Sequence, residues 1–322
     1  MTSLAAMHVH SAQPATPQIF LGRRQVSPYE HPNATRVALA VESIGYLVPR
    51  TDFTGLVHSI FAQACNLACN DTLLTLCAFS AGDGPATLRL ARGAPDDLRD
   101  LFDVGEPVHC RQGCVRTGRA ELRLLHASLW LPAGPGLLLP PSRIEAHLCN
   151  ADLRLAQRRR THTSVIDGQG APVVAALRDA CRALDNEQAA RHVDSLIGWG
   201  EGLTPAGDDF LVGLIAGLDA LVRLDERRHR FRGVLAAALT CRTHRTTPIA
   251  AHYLRLAAGG HYTEPLLRLR NALLCEDDGA VVDAALQSAL AVGATSGADT
   301  VSGLLAGLLA WPVAAPAEAA RS

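Results

Sequence analysis

Gly198 to Leu221 reads GWGEGLTPAGDDFLVGLIAGLDAL. Four glycines and a Thr-Pro pair fall within ten residues, two adjacent aspartates follow, and an apolar helical run completes the stretch. Thr204-Pro205 is a helix-start pattern. The threonine hydroxyl can accept from an early backbone N–H, and proline at the first helical position lacks only an N–H that would be unpaired anyway. Asp208 and Asp209 then fall in the first turn, where the helix dipole favours carboxylates. A well-capped helix behind a tight glycine turn accounts for this much without any function.

An internal echo points further. Thr295–Leu308, TSGADTVSGLLAGL, repeats the sense of Thr204–Leu218, TPAGDDFLVGLIAGL. Aligning Gly207 with Gly297 places Asp209 on Asp299, Gly213 on Gly303 and Gly217 on Gly307. In each segment the aspartate and the glycines four and eight residues on share one helical face. Glycines so spaced let another backbone approach closely, so two glycine-faced helices are expected to pack together with Asp209 and Asp299 near one end. Adjacent helical residues diverge by about 100°, which assigns Asp208 to the glycine-turn amides and Asp209 to the cavity. Two carboxylates brought together need a metal, a shared proton or an arginine between them. A metal at Asp209 and Asp299, magnesium or manganese, and an arginine are the two expected solutions.

A third helix start lies in Cys241–Leu254, CRTHRTTPIAAHYL, where Thr247-Pro248 repeats the cap pattern behind Arg242, His244 and Arg245. Arginines beside a helix N-terminus suit a phosphate or carboxylate, although arginines in a solvated loop read the same way. Candidate catalytic residues are therefore Asp209, Asp299 and Asp208. Candidate ligand-binding residues are Gly202, Thr204, Gly207, Arg242, Arg245, Thr246, Thr247, Ser296 and Gly297. Arg242 or Arg245 is expected to point toward the Thr204 helix start.

Outward from these motifs, everything from Pro172 onward is alanine-rich and helical, and Arg143–Ser164 reads as a helix ending in the basic run Arg158–Arg160, taken as a solvated end. Short β-type runs bounded by Gly or Pro fill the stretch before it: RVALAVESIGYLVP, ATLRLARG and ELRLLHASLWLP. Thr54–Cys69 interrupts them with a helical period, Leu56, Ile60, Ala64 and Leu67 sharing one face. The fold class is α+β. A partly ordered leader (1–35) precedes a β-rich α+β domain (36–165) and an all-helical domain (166–315).

Composition removes several functions. All 30 basic residues are arginines, so Schiff-base chemistry, a lysine base and the P-loop lysine are excluded. A net charge of −1 gives no field favouring nucleic acid or anionic membrane. No signal-peptide pattern opens the chain, and its apolar runs are too short for a membrane span. Nine cysteines, an odd number without a framework spacing, fit a reducing cytoplasm. Cys65/Cys69 and Cys110/Cys114 have an i, i+4 spacing open to a metal, but buried thiols packing as small hydrophobes explain them more simply.

Three strings carry a family resemblance: GEGLTPAGDDFLVG (200–213), RTTP (245–248) and TSGADTVSG (295–303). They resemble the bacterial family known as domain of unknown function 2877, one branch of which is the AllH-like subunit of oxamate carbamoyltransferase in anaerobic allantoin catabolism. VHSIFAQACNLACNDTLLTL (57–76) and GPATLRL (84–90) resemble its N-terminal half. The sequence departs from the pattern at Trp199, where a small residue is expected, and at Ala206, where serine is usual. The resemblance implies carbamoyl transfer between carbamoyl phosphate and a small amide such as oxamate. It also implies a succinyl-CoA-synthetase-like large subunit as partner. Two alternatives stay open. GADTVSGLLAGLLA (297–310) also looks like the late metal-binding stretch of the ADP-ribosylglycohydrolases, which implies a magnesium- or manganese-dependent hydrolase. A non-enzymatic scaffold subunit needs only the packing and capping roles.

Overall fold

A computed structural model describes residues 36–312 except 71, 96, 135, 162, 163, 223 and 224. The leader read at residues 1–35 lies outside the described residues. Eight strands close into a barrel: β1 (Val37–Gly45), β2 (Phe53–Ile60), β3 (Ala64–Cys69), β4 (Thr72–Cys77), β5 (Thr87–Leu90), β6 (Pro107–Arg111), β7 (Cys114–Arg116) and β8 (Ala120–Arg123). Around the ring the order is β1-β5-β4-β3-β2-β6-β7-β8, with β8 returning to pair β1 in parallel. β9 (Ser128–Trp130) continues that pairing along the second half of β1. Closure leaves few unpaired edges. Side chains including Val57, Leu67, Leu76, Leu88, Val108 and Leu122 fill the interior, so the barrel is a packed core rather than a channel.

The helical reading of Thr54–Cys69 is overturned. This segment is the antiparallel pair β2–β3, in register Leu56↔Ala68 and Ile60↔Cys65. Its buried residues recur with period two, Cys65, Leu67 and Cys69 on β3, while Leu56, which the helical pattern places inside, is 51% exposed. A short apolar run fits either period, and cross-strand pairing decided between them. Cys65, Cys69 and Cys110 are buried free thiols. Burial pushes Cys65 up to about 12 and Cys69 to about 11, which keeps both protonated. No group of three His, Cys, Asp or Glu side chains able to hold a metal occurs among the described residues.

No strand follows β9 among the described residues. α1 (Pro141–Arg159) buries Ile144, Leu148, Ala151 and Leu155 in the core shared by the later helices. α2 (Ala171–Ala183), α3 (Asn186–Leu196), α5 (Glu226–Arg242), α6 (Pro248–Ala258), α7 (Glu264–Cys275) and α8 (Gly279–Leu290) surround two central helices, α4 (Ala206–Leu221) and α9 (Ser296–Leu308). α4 and α9 are apolar on nearly every side, as helices wrapped by others must be. None of the described helices is long and apolar enough to cross a membrane.

The echo is structural. A Cβ added at Gly213 would sit 1.9 Å from the Thr300 carbonyl oxygen, and one at Gly303 would sit 1.9 Å from that of Phe210. Gly217 and Gly307 meet one turn further on. α4 and α9 therefore pack backbone against backbone along their glycine faces. Barrel and bundle are tied by main-chain bonds at the start of α7. Glu264 N–H donates to the Asp83 carbonyl, and Asp83 N–H donates to the Glu264 carboxylate, both at 2.8 Å. Asp83 also accepts from Ser43 at 2.5 Å and pairs with Arg89 at 3.1 Å.

Candidate functional site

The glycine loop before α4 folds back onto the helix start. Gly198 has φ +74°, and a Cβ there would lie 2.7 Å from the Arg245 carbonyl oxygen, so both conformation and space demand glycine. Its N–H donates to Asp208 Oδ1 at 3.0 Å, and Thr246 Oγ1 donates to Asp208 Oδ2 at 2.5 Å. Asp208 is thus buried and joins the glycine turn to the segment before α6. Burial raises its pKa, and those two hydrogen bonds hold it down in part.

Asp209 faces the other way, into a cavity of about 270 Å3 between the barrel and helices α4, α6, α7, α8 and α9. Its Oδ2 is buried without a hydrogen-bond partner. Burial pushes Asp209 well above the usual carboxylate range. The Ser296 hydroxyl opposes that rise, Asp299 adds to it, and Thr204 opposes it more weakly. Thr204 and Ser296 are 2.7 Å apart, hydroxyl to hydroxyl, and lock the starts of α4 and α9 together. Thr204 therefore does not cap α4 as expected. The preceding Pro205 occupies the cap position, with no side-chain cap.

Asp299, fully buried, does not line the cavity. Arg159 stands 3.5 Å from it and also pairs with Asp167. Of the two solutions expected for the carboxylates, the chain supplies an arginine at Asp299. That arginine comes from the run read as a solvated helix end, and it is only 18% exposed. Burial pushes Asp299 up to about 6, with Ser164 and Arg159 opposing and Asp167 adding to the rise. An aspartate whose folded pKa exceeds its unfolded one stabilises the fold while protonated. That contribution fades as pH climbs through the interval between the two values. The protein should therefore lose on the order of 2–3 kcal/mol through Asp299 between about pH 4 and 6. Denaturant midpoints across that range should flatten in Asp299→Asn, and an unchanged slope would remove the titration from Asp299.

The anion half of the expected constellation does not assemble. Arg242 and Arg245 both pair with Asp194 of α3, at 3.1 and 2.7 Å, on the surface. The first amides of α4 are also engaged, Gly207 N–H with the Trp199 carbonyl and those of Asp208 and Asp209 with Pro205. Asp194 outcompetes the helix start because a nearby exposed carboxylate needs no desolvation. Gly207 and Gly297 serve close packing: an added Cβ would lie 2.1 and 2.3 Å from the carbonyl oxygens of Leu196 and Ala289. Gly202 is exposed. Thr247 caps α6 as expected, accepting from Ala250 N–H at 3.1 Å while donating to the Leu203 carbonyl.

Sequence reasoning missed the cavity's other polar groups. Asn66 and Thr75 reach it from β3 and β4, with Thr75 Oγ1 donating to Asn66 Oδ1 at 2.9 Å. Tyr253 of α6 meets Thr75, and His261 bonds the Tyr46 hydroxyl at 2.9 Å. Asn66 and Thr75 fall in the 57–76 string and Tyr253 in the third helix start, but no spacing marks them as cavity residues. No arginine lines the cavity among the described residues. An apolar chamber with no arginine in its described lining, faced by a carboxyl that burial pushes upward, favours the amide end of a ligand over a phosphate.

Two family models match the chain in order and without overlap. The oxamate carbamoyltransferase subunit AllH covers residues 196–308, and the AllH family N-terminal domain covers residues 37–129. No solved structure matches it. The first match contains α4, α9 and the cavity wall carrying Asp209, and the second contains the barrel that closes the cavity from the other side. The chain belongs to the AllH family of oxamate carbamoyltransferase subunits.

Proposed function

We propose that this chain provides the acceptor-amide site of a carbamoyltransferase of the oxamate type. The observation that carries the reading is Asp209: a carboxyl with one oxygen buried and without a partner, pushed well above the usual carboxylate range, facing a cavity with room for a small amide. Transfer to an amide nitrogen is hard because that nitrogen is a weak nucleophile until its proton leaves. Burial makes the Asp209 carboxylate more basic than an ordinary one, which favours its taking a proton. The amide nitrogen attacks the carbamoyl carbon of carbamoyl phosphate, the C–N bond forms, the C–O bond to phosphate breaks, and Asp209 takes the amide proton. Inorganic phosphate leaves.

No arginine lines this cavity among the described residues, so the phosphate, and the carboxylate of oxamate, need a cation from elsewhere. A second subunit, of the succinyl-CoA-synthetase-like kind, fits that need, so the chain works as part of a complex. A magnesium or manganese ion fits the described residues poorly. Asp299 already faces Arg159 and lies outside the cavity, and no third acidic, cysteine or histidine ligand converges on Asp209. The hydrolase reading loses its support with that ion.

The test is reconstitution of the chain with such a large subunit. Phosphate release should require carbamoyl phosphate and oxamate together, and the chain alone should release little. Release that ignores oxamate, or hydrolysis switched on by manganese, would contradict the reading.

A further inference from the structure

A second cavity, of about 380 Å3, lies along a neighbouring face of α6. Ile249 and Tyr253 line the Asp209 cavity, whereas His252 and Arg255, one helical stripe over, line the second. His244 and Thr246 reach it from the turn before α6, and His58 from β2. The two cavities share no lining residue and differ in chemistry. No acidic side chain lines the second among the described residues.

Three observations fit an anion there. Arg255 has no ion pair among the described residues, whereas Arg232, Arg242 and Arg245 each find one. His252 is 8% exposed, lines the cavity and makes no hydrogen bond among the described residues. Its ring nitrogens keep contact with the open side of the cavity, where a ligand can replace water as their partner. The cavity also abuts the N-terminal end of α6, whose dipole favours anions although Thr247 already takes the Ala250 and Ala251 amides. Burial, with Arg255 adding to it, pulls His252 down to about 4, so the ring is neutral and offers one N–H rather than a charge. The three histidines do not form a metal cage, since no converging set of three ligands exists among the described residues.

We propose that this second cavity binds a small phosphate or carboxylate anion, with Arg255 supplying the charge and His252 donating a hydrogen bond. The assignment stands whether or not the Asp209 cavity transfers a carbamoyl group. Thr246 gives the anion a route to the other site, because it lines this cavity and bonds Asp208, the neighbour of Asp209.

The test uses the full chain, with inorganic phosphate and oxamate titrated separately and the histidine ring signals followed by NMR. At least one probe should bind saturably, move the His252 ring signals and raise that ring's pKa. Phosphate alone would assign a phosphoryl ligand, and oxamate alone a carboxylate. Arg255→Gln, an exposed position, should weaken binding at least tenfold, and His252→Gln should weaken it less. Binding read at the His252 signals should be unchanged in Asp209→Asn, because that residue lies in the other cavity. Failure of both probes to move the His252 signals saturably would overturn the proposal. So would a His252 shift that survives Arg255→Gln at full strength.

Discussion

Asp209→Asn should lower carbamoyl transfer by the assembled enzyme by about 10²–10⁴-fold, the usual contribution of a positioned base. The fold should survive, because the Asp209 Oδ2 has no partner to lose and an amide of the same shape still meets Thr204 and Ser296. The loss should appear in kcat with KM nearly unchanged, since proton removal belongs to the transition state. Asp208→Asn behaves in the opposite way. Its carboxylate is filled by Gly198 N–H and Thr246 Oγ1, and an amide keeps these partners only by reversing the threonine bond and giving up the charge on both. It should cost about 1–3 kcal/mol of stability and leave the chemical step largely intact. Paired kinetics and chemical denaturation of the two variants check this. Inactive Asp208→Asn beside active Asp209→Asn would reverse the assignment of the two faces.

Gly303→Val should be the most destabilising single change in the bundle. Overpacking a core costs about 1–3 kcal/mol when neighbouring side chains can yield. Here the first new atom would lie 1.9 Å from the Phe210 carbonyl oxygen, which is backbone and cannot rotate away. The cost should therefore reach or exceed the top of that range, and Gly213→Val should match it because Thr300 stands at the same distance. The double variant should lose less than the sum, since either change alone separates α4 from α9. Thermal melts of the three proteins test this. A mild Gly303→Val would mean that the helices do not need their close approach.

Much of the bundle was legible because the glycine and aspartate spacing of Thr204–Leu218 recurs in Thr295–Leu308, and only helices in contact give that spacing a purpose. The opposed roles of Asp208 and Asp209 follow from the helical repeat alone. What was not legible depended on partners distant in sequence. Arg242 and Arg245 looked free beside Thr246, yet Asp194, about fifty residues earlier, takes both. Arg159 sat in a run that reads as solvent-facing, and only the packing of α1 against α9 brings it to Asp299. The β2–β3 pair was misread because Leu56, Ile60, Ala64 and Leu67 satisfy a helical period by coincidence, whereas barrel closure rewards Cys65, Leu67 and Cys69. Asn66 and Thr75 lie in the 57–76 string that resembles the family's N-terminal half, but their spacing does not mark them as cavity residues.

The carboxyl resonance of Asp209, followed by carbon-detected NMR across pH with and without oxamate, tests the central claim most directly. The account predicts a titration well above the usual carboxylate range, which shifts again when oxamate fills the cavity. Titration at an ordinary aspartate pKa, unmoved by oxamate, would contradict it.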